Sequence, residues 1–135
     1  MDSGLRSLVW QRAKGRCEYC LFPAALALLP FQIDHIIAEK HRGPTSEANL
    51  ALSCERCNSH KGANIAGHLD GQLVRLFDPR QDNWTDHFAW DRPVLTGKSA
   101  IGRVTILVLE INRPGMIAVR RSLMQEGVYP LSPDL

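Results

Sequence analysis

The chain carries four cysteines, and all of them lie in two pairs with the spacing Cys-x-x-Cys. The first pair is Cys17 and Cys20, and the second is Cys54 and Cys57. A turn of this kind brings both of its sulfurs to one ion, and four thiolates can surround Zn²⁺ tetrahedrally. In a reducing compartment the pattern favours a metal over disulfides. The sequence therefore predicts one structural zinc site.

The segment between the two pairs carries polar residues that could act on a phosphodiester. Asp34 and His35 interrupt an apolar, β-forming run, Asn49 precedes a second apolar run, and Asn58 follows the second cysteine pair directly. This segment is longer than a simple zinc ribbon needs, so it must have its own structure. Adjacent strand residues point to opposite faces. If Asp34 and His35 act at one site, the strand must bend, bulge or end there.

Each of these residues also has an ordinary structural interpretation. An Asp-His pair in a strand is usually a hydrogen-bonded pair, and an Asn before Leu is usually part of a turn. Their joint placement between the two zinc knuckles is the reason to consider a catalytic role for them. Two hypotheses therefore stand: a metal-dependent nuclease braced by structural zinc, and a non-catalytic zinc module that binds nucleic acid or protein.

The order and spacing of these elements resemble the four-cysteine branch of the HNH endonuclease family, whose core is the ββα-metal motif. The matching elements, over about a third of the chain, are Cys17 with Cys20, Asp34-His35-Ile36-Ile37, Asn49-Leu50 and Cys54-x-x-Cys57-Asn58-x-x-Lys61-Gly62. The resemblance implies an α+β fold with a ββα-metal (HNH, or His-Me finger) core braced by the four-cysteine zinc. A C-terminal extension of short antiparallel strands and two helices would follow.

The resemblance implies a role for each polar residue of the central segment. His35 would be the general base that takes a proton from the attacking water, and Asp34 would bind a catalytic divalent ion. Asn58 would complete that metal site with its amide oxygen. Asn49 would hold the loop and orient the base rather than bind metal. A neutral histidine has a suitable pKa for this proton transfer near neutral pH.

The expected catalytic ion is Mg²⁺ or Mn²⁺, because a carboxylate and an amide oxygen are hard ligands that leave positions for water and substrate. His60 and His41 lie close by in the sequence. Either could be a third ligand, which would shift the preference towards Zn²⁺, Mn²⁺ or Ni²⁺. For His60, a phosphate contact or a supporting contact is the favoured alternative.

Basic residues around the motif could contact the nucleic-acid backbone. The residues expected to do so are Lys61, Arg42, His60 and His41. Lys61 could equally be a solvated helix end. A second group, Arg6, Arg12, Lys14 and Arg16, gives the N-terminal helix a local positive excess. That group is interpreted mainly as a solvated face, with a phosphate-facing surface as the alternative.

Hydrophobic periodicity and capping residues predict the remaining elements. In the first half we expect a helix over 5–14 with Ser3 as its cap, strands over 31–37 and 48–52, and a helix over 55–63. In the second half we expect a strand over 73–77, a loop over 78–84, strands over 87–90 and 93–95, and a last helix capped by Asn112 that ends near Gly127. Residues 98–111 suit a helix, although their β-branched content also suits a strand, and the helix is favoured. Residues 130–135 are expected to be loose. His68, His87, Trp84 and Trp90 are interpreted as structural.

The whole chain has the composition of an ordinary globular protein. It has 135 residues, of which 44% are hydrophobic and 22% charged, and its net charge of +2 is too small to prove a nucleic-acid partner. We expect a single nuclease domain over 1–135, with the HNH core at about 16–63 and the extension at about 72–128. No signal peptide or membrane span is recognisable, so a cytoplasmic protein is expected.

The expected partner is DNA, most readily double-stranded, and no membrane. The chain shows no separate sequence-reading domain, so specificity is expected to be low or supplied by a protein partner. The sequence does not predict the DNA sequence recognised, the pathway, the oligomeric state or the role of the extension.

Overall fold

The computed structural model describes residues 1–129 and contains, within that range, helices and short strands paired as three antiparallel hairpins. In chain order the elements are α1 (Ser3–Ala13), β1 (Gln32–His35), β2 (Leu50–Ser53), α2 (Glu55–Lys61), β3 (Ala66–Leu69), β4 (Gln72–Arg75), α3 (Trp84–His87), β5 (Phe88–Asp91), β6 (Val94–Gly97), α4 (Ala100–Val108) and α5 (Pro114–Gln125). Three short 3-10 turns lie at Ala24–Leu26, Glu39–His41 and Glu47–Asn49.

The first hairpin and the helix after it form a ββα unit. β1 pairs with β2 in antiparallel register, with His35 opposite Leu50. Cys54 follows β2 directly, and its sulfur accepts a hydrogen bond from the Cys57 backbone N–H at the start of α2. β1 is shorter than the expected strand over 31–37 and ends at His35. It therefore meets the condition that Asp34 and His35 lie where the strand ends.

The outer edge of β2 is covered by the N-terminal part of the chain. Arg12 on α1 donates from Nη2 to the carbonyl of Leu50 at 2.6 Å. Glu18, inside the first cysteine knuckle, donates its N–H to the Leu52 carbonyl at 2.9 Å and accepts the Leu52 N–H through Oε2 at 2.8 Å. These bonds satisfy backbone groups that a strand edge otherwise leaves open.

In the second half of the chain, α4 packs against both later hairpins. It contacts β3 and β4 of the second hairpin and β6 of the third. A Cβ at Gly67 in β3 would lie 2.6 Å from Val108 and 2.7 Å from Val104, so this close approach requires glycine. One buried hydrophobic cluster joins this half to the cysteine knuckles, since it includes Tyr19, Phe77 and Tyr129. The extension therefore shares its core with the ββα unit.

Most expected elements are present. Where their boundaries differ from the expected ones, side-chain contacts account for the difference. Asp2, rather than Ser3, caps α1, because its carboxylate accepts the Leu5 N–H at 2.8 Å. Asn112 does not cap α5: Arg113 occupies that position, and Asn112 bonds both backbone groups of Leu95. These two expectations were wrong.

Two further differences concern short segments. Strand β3 was not expected, because its sequence Ala-Gly-His-Leu has low β propensity. The expected loop over 78–84 gives way at Trp84 to the short helix α3. The expectation for residues 130–135 lies outside the described part of the chain. Among residues 1–129 there is no helix with the length and apolar character needed to cross a bilayer.

Candidate functional site

The four cysteines come together at one point with the geometry of a metal site. Their sulfur atoms all lie within 4.8 Å of one another, and all four residues are buried. The sulfurs of Cys20 and Cys54 are 3.8 Å apart. Two thiolates at a Zn–S distance of about 2.3 Å with a tetrahedral angle are separated by about 3.8 Å. The two knuckles are therefore positioned to hold one metal ion, and the all-sulfur donor set suits zinc.

Backbone contacts hold the first knuckle in this position. The N–H of Cys20 points to the sulfur of Cys17 at 3.5 Å, as the Cys57 N–H does to Cys54 at 3.4 Å. Tyr129 donates its hydroxyl to the Cys20 carbonyl at 2.8 Å. The last described residue thus contacts the metal site, a link that spans 109 positions of sequence.

Asp34 lies on the inner face of β1 and is only 5% exposed. Tyr19 donates its hydroxyl to Oδ2 at 2.7 Å, and the Lys61 ammonium lies 3.2 Å from Oδ1 and 3.1 Å from Oδ2. Burial raises the pKa of the Asp34 carboxyl, and the charge of Lys61 with the Tyr19 hydrogen bond opposes that rise. Burial and the neighbouring Asp34 also raise the pKa of Tyr19 well above its usual value, so Tyr19 stays a donor.

Lys61 is the largest departure from the sequence expectation. It is 1% exposed, and its ammonium donates to the Asp34 carboxylate and to the carbonyls of His35 and Ile36, both at 3.1 Å. All three N–H groups of the ammonium are thereby used inside the protein. The expected phosphate contact of Lys61 does not fit this position. The hydrogen bonds of Lys61 instead connect the end of α2 to the end of β1.

His35 lies at the rim of the same cluster, with a partly exposed side chain. Its Nε2 is 2.8 Å from the Thr45 hydroxyl and 3.5 Å from the Glu39 carboxylate. The other ring nitrogen, Nδ1, makes no hydrogen bond within residues 1–129. A neutral ring whose Nε2 carries the hydrogen would donate it to Thr45 and leave the lone pair of Nδ1 available.

Asn49 fastens the loop that follows His35. Its amide oxygen accepts the Ile37 N–H at 2.9 Å, and its amide nitrogen donates to the carbonyls of Ile37 at 3.0 Å and Pro44 at 2.9 Å. A Cβ at Gly43 would lie 1.7 Å from the Ile37 carbonyl oxygen, so the loop closes only with glycine there. These hydrogen bonds from the Asn49 side chain to the backbone hold the loop, which is the contact expected for this residue.

The oxygens expected to hold a catalytic ion are Asp34 Oδ1 and the Asn58 amide oxygen. A carboxylate offers about four lone-pair positions; Tyr19 donates to Oδ2 and Lys61 donates to Oδ1, which leaves one position on Oδ1. Asn58 lies one turn before Lys61 on the same face of α2, and its side chain has no hydrogen-bond partner within residues 1–129. Carboxylate and amide oxygens are hard ligands of the kind that Mg²⁺ prefers, and the ion site at Asp34 and Asn58 stays a prediction.

His60 does not face this group. Its Nδ1 is 2.8 Å from the Glu110 carboxylate, and its Nε2 accepts a hydrogen bond from the Arg113 guanidinium. Because Arg113 can only donate, Nε2 carries the lone pair and Nδ1 donates to Glu110. His60 is therefore placed neither as a third metal ligand nor as a phosphate contact, and both expectations were wrong. It links α2 to the segment before α5.

The remaining expected contacts lie on the loop beyond β1. His41 and Arg42 are exposed, and Arg42 has a positive φ of 69°. Among residues 1–129 the four cysteines are the only convergent group of three or more histidine, cysteine and acidic side chains, so His41 does not join a second such cluster. The phosphate contacts of His41 and Arg42 stay predictions.

Sequence reasoning missed three residues of the site, namely Tyr19, Glu39 and Thr45. Tyr19 sits inside the first cysteine pair, and only its contact with Asp34, 15 positions later, shows its use. Glu39 follows His35 by four positions, and Thr45 by ten, in a loop with no regular period. The only signal available was their nearness to the Asp34-His35 pair.

The fold and the cysteine site together define a class of protein: an α+β domain with a ββα-metal core and a four-cysteine metal site. Among family models, the one described as HNH endonuclease matches residues 17–64. This segment is therefore an HNH domain of the four-cysteine kind, from a family with nuclease-type or nucleic-acid-related function. Searches of curated proteins and of solved structures gave no match.

Proposed function

We propose that the protein is a metal-dependent endonuclease that hydrolyses phosphodiester bonds of DNA. The observation that carries the proposal is the placement of His35 at the end of β1, beside the fixed carboxylate of Asp34 and with Nδ1 free of partners in the described chain. A zinc module that only binds a partner has no need of an anchored imidazole next to a buried carboxylate.

In the proposed reaction His35 acts as the general base. With the hydrogen of Nε2 donated to Thr45, Nδ1 accepts a proton from a water molecule as the water oxygen attacks phosphorus. The bond from phosphorus to the 3′ oxygen breaks, and that oxygen takes a proton from solvent water, which leaves a 5′ phosphate and a 3′ hydroxyl. The proton held by His35 is later released to solvent. Glu39, 3.5 Å from Nε2, would stabilise the protonated ring, although its exposure weakens this effect.

Asp34 and Asn58 would hold the divalent ion through Oδ1 and the amide oxygen. When bound, the ion would neutralise charge on the phosphate and on the departing 3′ oxygen. Tyr19 and Lys61 position Asp34 for this task, because they fix the plane of its carboxylate. Asn49 keeps the loop after His35 closed, and so sets the position of the base.

The cysteine site would hold one zinc ion with a structural role. All four protein ligands are sulfurs, so no coordination position is left open for substrate. The metal would thus brace the two knuckles from which Tyr19 and α2 extend. The zinc would be held tightly, whereas the ion at Asp34 would exchange.

Metal dependence tests the proposal directly. The zinc-loaded protein is treated with a mild chelator, which should remove the exchangeable ion and abolish plasmid nicking. Added Mg²⁺ or Mn²⁺ should restore nicking while circular dichroism shows the fold unchanged. A protein that needs no divalent ion, or that unfolds at every chelator concentration that stops nicking, contradicts the two-site arrangement.

A second function, a non-catalytic zinc module that binds nucleic acid or protein, is favoured by one observation. The ammonium of Lys61 already neutralises the carboxylate of Asp34. In such a module this pair would serve only to join α2 to β1. Intact DNA binding with no nicking at any Mg²⁺ or Mn²⁺ concentration would support this function and reject the nuclease.

A further inference from the structure

A polar cavity of about 200 Å³ lies between the end of α1 and the segment before α3. It is distinct from the group around Asp34 and His35. One wall carries Arg12 and Arg16, and the opposite wall carries Asp82 and Asn83. Arg16 is 6% exposed, so its charge is held inside the protein surface.

The carboxylates next to this cavity are already neutralised by other cations. Asp82 forms a two-pronged pair with Arg75, at 2.8 and 2.9 Å, and accepts the Asp78 N–H at 2.9 Å. Glu18 pairs with Arg80 and also accepts the Leu52 N–H. Glu18 therefore shares its negative charge between Arg80 and Arg12, and Asp82 is committed to Arg75.

Arg12 has a hydrogen-bond donor that could bind an anion. Its Nη2 donates to the Leu50 carbonyl, but its Nε is buried and makes no hydrogen bond within residues 1–129. The Nε of Arg80 is likewise buried and makes no hydrogen bond within residues 1–129. Burial lowers the pKa of Arg12, and so does the like charge of Arg80 through repulsion, while Glu18 and Glu47 oppose the shift. An anion would satisfy the buried donor and relieve the repulsion.

We propose that this cavity binds a phosphate group, either as inorganic phosphate or as part of a nucleic-acid backbone. Tetrahedral phosphate oxygens match the planar donor fork of arginine. The cavity also borders the hairpin that carries the candidate site, since Arg12 bonds Leu50, the residue opposite His35. This binding does not depend on cleavage by His35, so it stands or falls independently of the nuclease activity.

The test follows the Arg12 Nε–H signal of the full-length, zinc-loaded protein by NMR during a titration with inorganic phosphate at constant ionic strength, with no added divalent ion. A saturable shift of this signal is expected. Arg12→Lys, which keeps the charge but lacks Nε, should weaken phosphate binding at least about tenfold, as loss of a charge-assisted bond does. Arg6→Lys, on the exposed part of the same helix, should leave it unchanged.

A short DNA duplex distinguishes the two sources of phosphate. If the duplex shifts the same signal and inorganic phosphate competes with it, the cavity binds a backbone phosphate; if only inorganic phosphate shifts it, the cavity binds the free anion. No saturable shift with either ligand overturns the proposal, as does equal weakening by Arg12→Lys and Arg6→Lys. If Arg12→Lys fails to take up zinc, Arg16→Lys replaces it in the comparison, and the wild-type titration is decisive by itself.

Discussion

At the scale of single residues, the site depends on side chains with several partners each. Asp34 is held by Tyr19 and Lys61, and Lys61 also bonds two backbone carbonyls. The ion pair is almost wholly buried. Removing one member of such a pair leaves an uncompensated charge in a poorly solvated place. Lys61 should therefore contribute to stability rather than to DNA affinity.

Lys61→Met tests this assignment. We expect the free energy of unfolding to fall by about 3–5 kcal/mol in urea denaturation, because the Asp34 carboxylate loses its buried cation. Lys40→Met, on the exposed 3-10 turn after β1, should change it by less than about 0.5 kcal/mol. A Lys61→Met protein that is as stable as wild type but binds DNA more weakly would restore the phosphate contact expected from the sequence.

At the scale of elements, each cysteine knuckle leads directly into a part of the site. The first contains Tyr19, and the second is the start of α2, which carries Asn58 and Lys61. A metal at the four sulfurs would therefore fix the relative position of α2 and β1. Binding of a structural metal contributes directly to folding free energy.

Cys54→Ser should remove most of this contribution. We expect the zinc content, measured by inductively coupled plasma mass spectrometry, to fall from about one ion per chain to well below one. The thermal midpoint should fall with it because the contribution of the metal to folding is lost, while serine keeps the N-cap of α2. Ser59→Ala, an exposed position on the same helix, serves as the control. A zinc-free Cys54→Ser protein with wild-type thermal stability would contradict a structural role for the metal.

Elements with a local sequence signal could be predicted, and those that depend on distant partners could not. The two cysteine pairs depend on neighbouring residues, whereas β1, expected over 31–37, ends at His35. The partner of His60, by contrast, lies 53 positions away at Arg113, and Lys61 meets Asp34 across 27 positions. A basic residue near a nuclease motif has the same sequence signature whether it faces phosphate or a buried carboxylate.

At the scale of the whole molecule, the C-terminal extension supports the HNH domain. Trp84 donates its indole N–H to the Tyr19 carbonyl at 2.9 Å, and Phe77 packs edge-on against the Tyr19 ring, with centroids 6.4 Å apart. Arg80 reaches Glu18, and Arg113 reaches His60. This role could not be predicted from the sequence, because each contact joins residues more than 50 positions apart.

Shared packing of this kind predicts a single unfolding transition. Tryptophan fluorescence reports on Trp84 and Trp90 in the extension, with a contribution from Trp10 on α1 that a Trp10→Phe variant identifies. A colorimetric chelator reports zinc release from the cysteines. Both signals should change at the same temperature. Phe77→Ala should lower both midpoints together, at a cost of about 3–5 kcal/mol, because Phe77 is 2% exposed in the shared core.

Leu73→Ala is the matched control for this truncation, since Leu73 is 78% exposed on β4. It should leave both midpoints close to those of the wild type. Two separate transitions in the wild-type protein, or a Phe77→Ala effect on fluorescence without an effect on zinc release, would show that the extension folds independently of the HNH domain.

If His35 is the base of a metal-dependent nuclease, plasmid nicking must be lost in His35→Ala. Nicking is measured across a Mg²⁺ titration, with DNA affinity measured in parallel and with His68→Ala, an exposed position on β3, as control. We predict a loss of cleavage of about 10²–10⁴-fold for His35→Ala, with DNA affinity unchanged and His68→Ala fully active. Cleavage by His35→Ala at the wild-type rate would contradict the account.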